Sequence, residues 1–121
     1  MTPEVFVATL RWLVVDGATE DAVHLLEAPP GRRPDATTVR RSEWFTSLDH
    51  HDREMVAEVA RSAAFLATFG FRCVLDGARA FDVDGGSLRL MYVGPDGGEV
   101  RLNDPRGIEL HAELGADDPP P

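Results

Sequence analysis

Apolar residues near the start of the chain recur at helical spacing. Four of them fall on one stripe of a helix: Phe6, Leu10, Leu13 and Val14. Helix-start residues precede this stripe, because the Thr2 hydroxyl can accept a bond from a free amide and the following proline suits the first helical position. The pattern predicts a helix over about 3–15. The run 5–8 is rich in β-branched residues and leaves a strand as the alternative.

Two further helical segments follow, separated by residues that stop helices. Asp16-Gly17 is predicted to end the first helix, and a second is predicted to start at Thr19 and to stop before Pro29-Pro30, so that the two form a helical hairpin. Beyond this linker, Asp35 is predicted to cap a third helix. The apolar face of that helix comprises Val39, Trp44, Phe45 and Leu48.

The most extended helical pattern begins near residue 50, after Ser47 or Asp49 as the cap. Its apolar residues recur three and four positions apart: Met55, Val56, Val59, Ala60, Ala63, Leu66 and Ala67. Residues 62–71 are apolar on nearly every side, which is typical of a helix covered by several neighbours. We therefore predict a long central helix that ends either at Gly70 or near Gly77.

The pattern changes beyond Gly77 to alternating segments between glycine-rich turns. The segments 79–83, 87–93 and 99–102 predict a three-stranded antiparallel meander. Asn103-Asp104-Pro105 is then predicted to start a short C-terminal helix closed by Gly115, and the acidic, proline-rich residues 116–121 are predicted to be disordered. The predicted fold class is α+β: N-terminal helices around a long central helix, followed by the meander and a short C-terminal helix.

Composition agrees with one folded domain. The 121 residues are 43% hydrophobic and 27% charged, so we expect a single compact domain over residues 1–115. All twelve basic residues are arginine, which excludes lysine chemistry and is typical of a high-GC bacterium. With a single cysteine and an acidic residue, Glu4, where a secretory leader would be basic, the expected compartment is the cytoplasm.

The balance of charge limits the class of partner. A formal net charge of −9 disfavours nucleic acid and membrane surfaces and favours a basic protein partner. One basic concentration stands out as a candidate binding segment: Arg32, Arg33, Arg40 and Arg41. Trp44 follows it and is a candidate interface anchor. The alternative is that the arginines only form a solvent-exposed surface and that the tryptophan packs in the core.

Metal-ligating residue types cluster at the start of the long helix. The candidates are His50, His51, Asp52 and Glu54, and only His50 with Glu54 has the four-residue spacing that places two ligands on one helix face. The doublet His51-Asp52 is similar to the metal-binding doublet of HD-type phosphohydrolases, and His24 and Asp104 are the candidate distant partners for it. The alternative is that the acidic residues simply stabilise the helix N-terminus. We expect no cofactor, and we expect Cys73 to be an inert core thiol.

Three segments together resemble a known group of small bacterial proteins to which no activity is attached. They are Trp44-Phe45 with Leu48 to Val56, Phe69 to Gly77, and Leu102 to His111. The resemblance covers roughly residues 40–114 and implies a compact bacterial α+β domain.

Charge and the lack of a recognisable catalytic motif favour a non-catalytic protein-binding domain of the inhibitor, immunity or adaptor kind. Two alternatives remain. One is a small metal-assisted hydrolase that uses the His50-His51-Asp52 cluster, and the other is a self-associating structural domain that forms a homodimer.

Overall fold

The computed structural model describes residues 1–79 and 84–113. Its elements are helix α1 (Pro3–Leu10), a π-helical segment (Arg11–Asp16), helices α2 (Gly17–Glu27), α3 (Ala36–Ser47) and α4 (His50–Leu75), and strands β1 (Met91–Val93) and β2 (Glu99–Arg101). The described part of the chain is therefore mostly helical and carries one small antiparallel sheet.

The first helix begins as the sequence predicts, and Thr2 Oγ1 accepts the Val5 amide at 3.3 Å. The predicted break at Asp16-Gly17 is wrong, and so is the helical hairpin, because the chain stays helical through the π-helical segment into α2. A glycine inside a helix costs about 1 kcal/mol. Two contacts flank this glycine: the Thr19 hydroxyl donates to the Val15 carbonyl at 2.7 Å, and Asp16 pairs with Arg61 at 2.5 Å, which holds the segment against α4.

Helix α3 has the cap that the sequence predicts. Asp35 Oδ1 accepts the Thr38 amide at 2.9 Å and Asp35 Oδ2 accepts the Thr38 hydroxyl. The helix packs against α2 and buries Phe45, whereas the neighbouring Trp44 is 52% exposed. Phe45 is therefore a core residue, whereas Trp44 is not.

Helix α4 begins beside Asp49, whose Oδ1 accepts the Asp52 amide at 2.9 Å. It continues past Gly70 to Leu75, so the observed end agrees better with the predicted end near Gly77 than with the one at Gly70. The expectation that residues 62–71 are covered on several sides is wrong, because Leu66 and Phe71 are 60% and 59% exposed. The buried residues of α4 lie instead near its C-terminal end. That α4 is the central helix of the fold stays a prediction.

Strands β1 and β2 form a hairpin in the register Met91↔Arg101, Tyr92↔Val100 and Val93↔Glu99. Its turn is closed by the Gly94 amide, which donates to the Gly98 carbonyl at 2.8 Å, and it contains Gly97 at φ 81°, where a side chain would be strained. The first strand of the predicted meander is 79–83, and residues 80–83 lie outside the described residues. The described sheet therefore has two strands.

The predicted C-terminal helix is wrong for residues 104–113, which form turns and a short 3₁₀ segment. The Asp104 side chain accepts the Arg106 amide at 3.0 Å and the Asp104 carbonyl accepts the Gly107 amide, which closes a tight turn instead of starting a helix. Further along, the His111 amide donates to Asp76, a residue distant in sequence, at 2.8 Å. Gly115 and the predicted tail 116–121 lie outside the described residues.

The chain divides into two compact units, Met1–Arg11 with Leu66–Pro121, and Trp12–Phe65. In the first, a buried cluster of Val7, Leu75 and Leu110 is joined by the partly buried Phe6, Leu88 and Leu90. In the second, the buried hydrophobic residues among those described are Val15 and Phe45. None of the described helices is both long enough and apolar enough to cross a membrane.

Candidate functional site

All nine residues singled out from the sequence as metal or binding candidates belong to the unit Trp12–Phe65. Arg32 and Arg33 lie in the segment before α3, Arg40, Arg41 and Trp44 lie on α3, and His50, His51, Asp52 and Glu54 lie in the first turns of α4.

The predicted His50 and Glu54 pair does form. His50 Nε2 lies 3.0 Å from Glu54 Oε1, and the two side chains are 88% and 61% exposed. Two groups do not complete a metal site, and residues 1–79 and 84–113 contain no set of three or more histidine, cysteine or acidic side chains placed to hold an ion. Of the two distant partners named with the HD-type resemblance, His24 lies on α2 and Asp104 belongs to the other unit.

The Asp104 carboxylate instead binds a residue close to it in sequence, Arg106. It contacts the Arg106 guanidinium at 3.2 Å, and hydrogen bonds from the Arg106 side chain and amide lower the pKa of Asp104. This carboxylate therefore serves a surface turn.

The junction between α3 and α4 is fixed by Arg53. Its Nε donates to the Leu48 carbonyl at 3.0 Å and its Nη2 donates to the Thr46 carbonyl at 2.6 Å, so it satisfies two carbonyls at the end of α3. The same guanidinium lies over the ring of the buried Phe45, 5.7 Å from its centroid. The Arg53 side chain thus holds the start of α4 against the end of α3.

This junction leaves an open cavity of about 420 Å³, which we name the corner groove. Its lining residues come from the end of α3 and the first three turns of α4: Trp44, Leu48, Asp52, Met55, Val56 and Val59. Three large apolar side chains of the groove are exposed, namely Trp44 at 52%, Met55 at 46% and Val59 at 63%. The groove brings together the predicted anchor Trp44 and the predicted metal candidate Asp52.

The sequence pattern misassigns part of this groove. Met55 and Val59 have the spacing of a core stripe, yet both lie at the surface. Spacing identifies the apolar face of a helix but not whether another element covers it, so no signal in the sequence distinguishes this groove from a core.

Charges around the groove are separated by helix. The acidic Asp49, Asp52, Glu54 and Glu58 at the start of α4 are exposed, and the nearest base, Arg53, is turned toward the α3 carbonyls. The four predicted binding arginines at residues 32, 33, 40 and 41 are also exposed, and none forms an ion pair with any residue the structure describes. Of these acids Asp52 lines the groove, and a basic stretch precedes Trp44 in the chain.

A second polar site, in the other unit, is not predicted by the sequence. Asp76 Oδ2 accepts both the backbone amide and Nδ1 of His111, each at 2.8 Å, and the Asp76 side chain is 5% exposed. The Phe69 ring meets the imidazole edge-on, 6.3 Å between centroids, and Glu109 lies 3.6 Å from His111 Nε2. Because Asp76 and His111 are 35 residues apart, no local spacing announces the pair.

The Asp76 and His111 pair can orient an imidazole, as a carboxylate does beside a general base. A cavity of about 320 Å³ is lined by Asp76 and Glu109, but His111 is not among the described residues that line it. The pair therefore works as a link between the end of α4 and the C-terminal segment.

Buried Asn103 makes a similar link in the same unit. Its Oδ1 accepts the Leu90 amide at 2.8 Å, and its Nδ2 donates to the carbonyls of Leu75 at 2.6 Å and Leu88 at 3.0 Å. Cys73, two residues before Leu75, is free and buried, so a nucleophile at this position would be shielded from solvent.

No protein-family model matches this chain, and comparisons with curated proteins and with solved structures also found no match.

Proposed function

We propose that this chain is a non-catalytic protein-binding domain, of the inhibitor, immunity or adaptor kind, and that the corner groove is its docking surface. The observation that carries the proposal is the exposure of Trp44, Met55 and Val59 around one open groove. Large apolar side chains gathered in an exposed depression mark interaction sites, and tryptophan is the residue type that most often dominates binding energy there.

Charge defines the class of partner. Asp52 lies in the groove itself, and exposed Asp49 comes one turn before it, so the start of α4 gives the groove a negative charge. A complementary segment carries apolar anchors for the groove and arginine or lysine residues for the α4 side. The proposed partner is therefore a basic protein segment, in keeping with the net charge of −9.

The test is affinity capture on the immobilised full chain from a lysate of the source organism, at low and at high salt, with the retained proteins identified by mass spectrometry. Trp44→Ala removes the proposed anchor, and Trp12→Ala is the matched control because Trp12 is 69% exposed but does not line the groove. We expect a protein with an exposed basic segment that the wild type and the control retain, that Trp44→Ala loses, and that salt releases. Equal retention by Trp44→Ala, or retention that ignores salt, would overturn the proposal.

A further inference from the structure

We propose that the partner which occupies the corner groove is a second copy of this chain, held by the arginine-bearing face of its α3. This inference rests on the proposed function and names its partner. Each copy would supply the groove and also the basic segment that docks into the groove of the other.

The first support is the imbalance of apolar burial within the unit Trp12–Phe65. Two of its described hydrophobic residues, Val15 and Phe45, are buried. Seven large ones are more than 40% exposed: Trp12, Leu13, Val14, Leu25, Trp44, Met55 and Val59. Three of the seven, Trp44, Met55 and Val59, line the corner groove, and these are the side chains that a helix of a second copy would cover.

The second support is the order of residues along α3. Arg41, Trp44 and Leu48 are three and four positions apart, so they share one face of the helix. Trp44 and Leu48 line the corner groove, and Arg41 therefore continues the same face one turn beyond it. A single helix face thus presents a base followed by two apolar anchors, which are the features that the acidic, apolar groove requires.

The third support is that these charges are available. Of the six arginines in this unit, Arg61 pairs with Asp16 and Arg53 binds the carbonyls of Thr46 and Leu48. The remaining four are the exposed arginines of residues 32–41, which form no ion pair with any described residue. Under a twofold axis, Arg41 of each copy faces Asp52 of the other, so one complementary contact forms twice.

The net charge of −9 does not prevent this association at physiological salt. The screening length there is about 8 Å, so charges beyond the interface interact weakly and the local pairs decide the outcome. Although the chain is acidic overall, its residues 32–41 form a basic segment that can bind the corner groove of a second copy.

Sedimentation equilibrium of the full chain at about 0.15 M salt, over about 1 µM to about 1 mM, tests the inference. We expect a monomer–dimer equilibrium for the wild type. Trp44→Ala removes one anchor from each copy and is expected to raise the dimer Kd by at least about 30-fold, whereas Trp12→Ala is expected to leave it unchanged.

Charge reversal makes the test specific. Arg41→Glu places two like-charge contacts in its own dimer, and Asp52→Arg does the same, so each variant alone is expected to be monomeric where the wild type is dimeric. An equimolar mixture restores both contacts with opposite charges, and native mass spectrometry should then show the mixed dimer. Circular dichroism of each variant checks that it is folded.

Failure of this inference is distinguishable from failure of the proposed function. A wild type that stays monomeric throughout, or a dimer that tolerates Trp44→Ala and both reversals, overturns the second copy as the occupant. Capture of a different basic protein that depends on Trp44 would then leave the proposed function standing. If Trp44→Ala changes neither sedimentation nor capture, both proposals fail.

Discussion

At the scale of single residues, the Asn103 side chain makes three long-range hydrogen bonds within its unit. Its amide group joins the end of α4, the segment before β1 and the loop after β2, and it is 5% exposed. Asparagine suits this position because one side of its amide accepts and the other donates twice. A buried backbone group left without a partner costs more than a hydrogen bond contributes.

Replacement of Asn103 by alanine strands the Leu75 and Leu88 carbonyls and the Leu90 amide. We expect Asn103→Ala to lower the free energy of unfolding by on the order of 3 kcal/mol, measured by urea denaturation. Asp96→Ala is the matched control, because exposed Asp96 only accepts the amide of Gly98, and we expect a loss below about 1 kcal/mol. Equal losses in the two variants would show that the three bonds of Asn103 are not formed in solution.

At the scale of secondary structure, the cap of α3 gives a dependence on pH. Hydrogen bonds from the hydroxyl and then the amide of Thr38 lower the pKa of Asp35 below its ordinary value of 3.8. The folded state therefore prefers the carboxylate. Its contribution to stability is fully present above the unfolded pKa and is lost as the pH falls through the folded pKa.

Asp35→Asn keeps an oxygen that can accept the Thr38 amide but removes the charge. We expect the wild type to be the more stable at neutral pH and the difference to close as the pH falls below about 4, measured by thermal unfolding at each pH. Asp21→Asn is the control for the loss of one negative charge, because the exposed side chain of Asp21 makes no hydrogen bond to a described residue. A difference that is unchanged at low pH would contradict the cap as its source.

Local signals in the sequence predict the elements whose causes are local. The Asp35 cap and the glycine turn between β1 and β2 each depend on residues a few positions apart, and the structure contains both. The break at Asp16-Gly17 and the C-terminal helix fail because Arg61 and Asp76, distant in sequence, hold those segments. The same limit applies to the candidate site: Trp44 and Asp52 stand out in the sequence, but their meeting in one groove depends on the bonds of Arg53.

At the scale of the whole molecule, helix α4 is the element shared by both compact units. Residues 50–65 belong to the unit Trp12–Phe65, and residues 66–75 belong to the unit built on Val7, Leu75 and Leu110. Each unit has its own buried apolar residues, so loss of one cluster weakens its own unit first. A comparison of hydrogen-exchange protection in the two halves of this helix therefore shows whether the chain unfolds in one step or in two.

Leu110→Ala and Phe45→Ala remove one buried side chain from each unit, because these residues are 0% and 2% exposed. We expect each to cost about 2–5 kcal/mol. In hydrogen exchange measured by mass spectrometry, Leu110→Ala should lower protection in peptides from 66–75 more than in those from 50–65, and Phe45→Ala should do the reverse. The matched control Leu110→Met keeps most of the buried volume and should change the pattern little. An equal loss of protection on both sides of residue 65 in both variants would mean that the two clusters unfold together, as the single domain predicted over residues 1–115 requires.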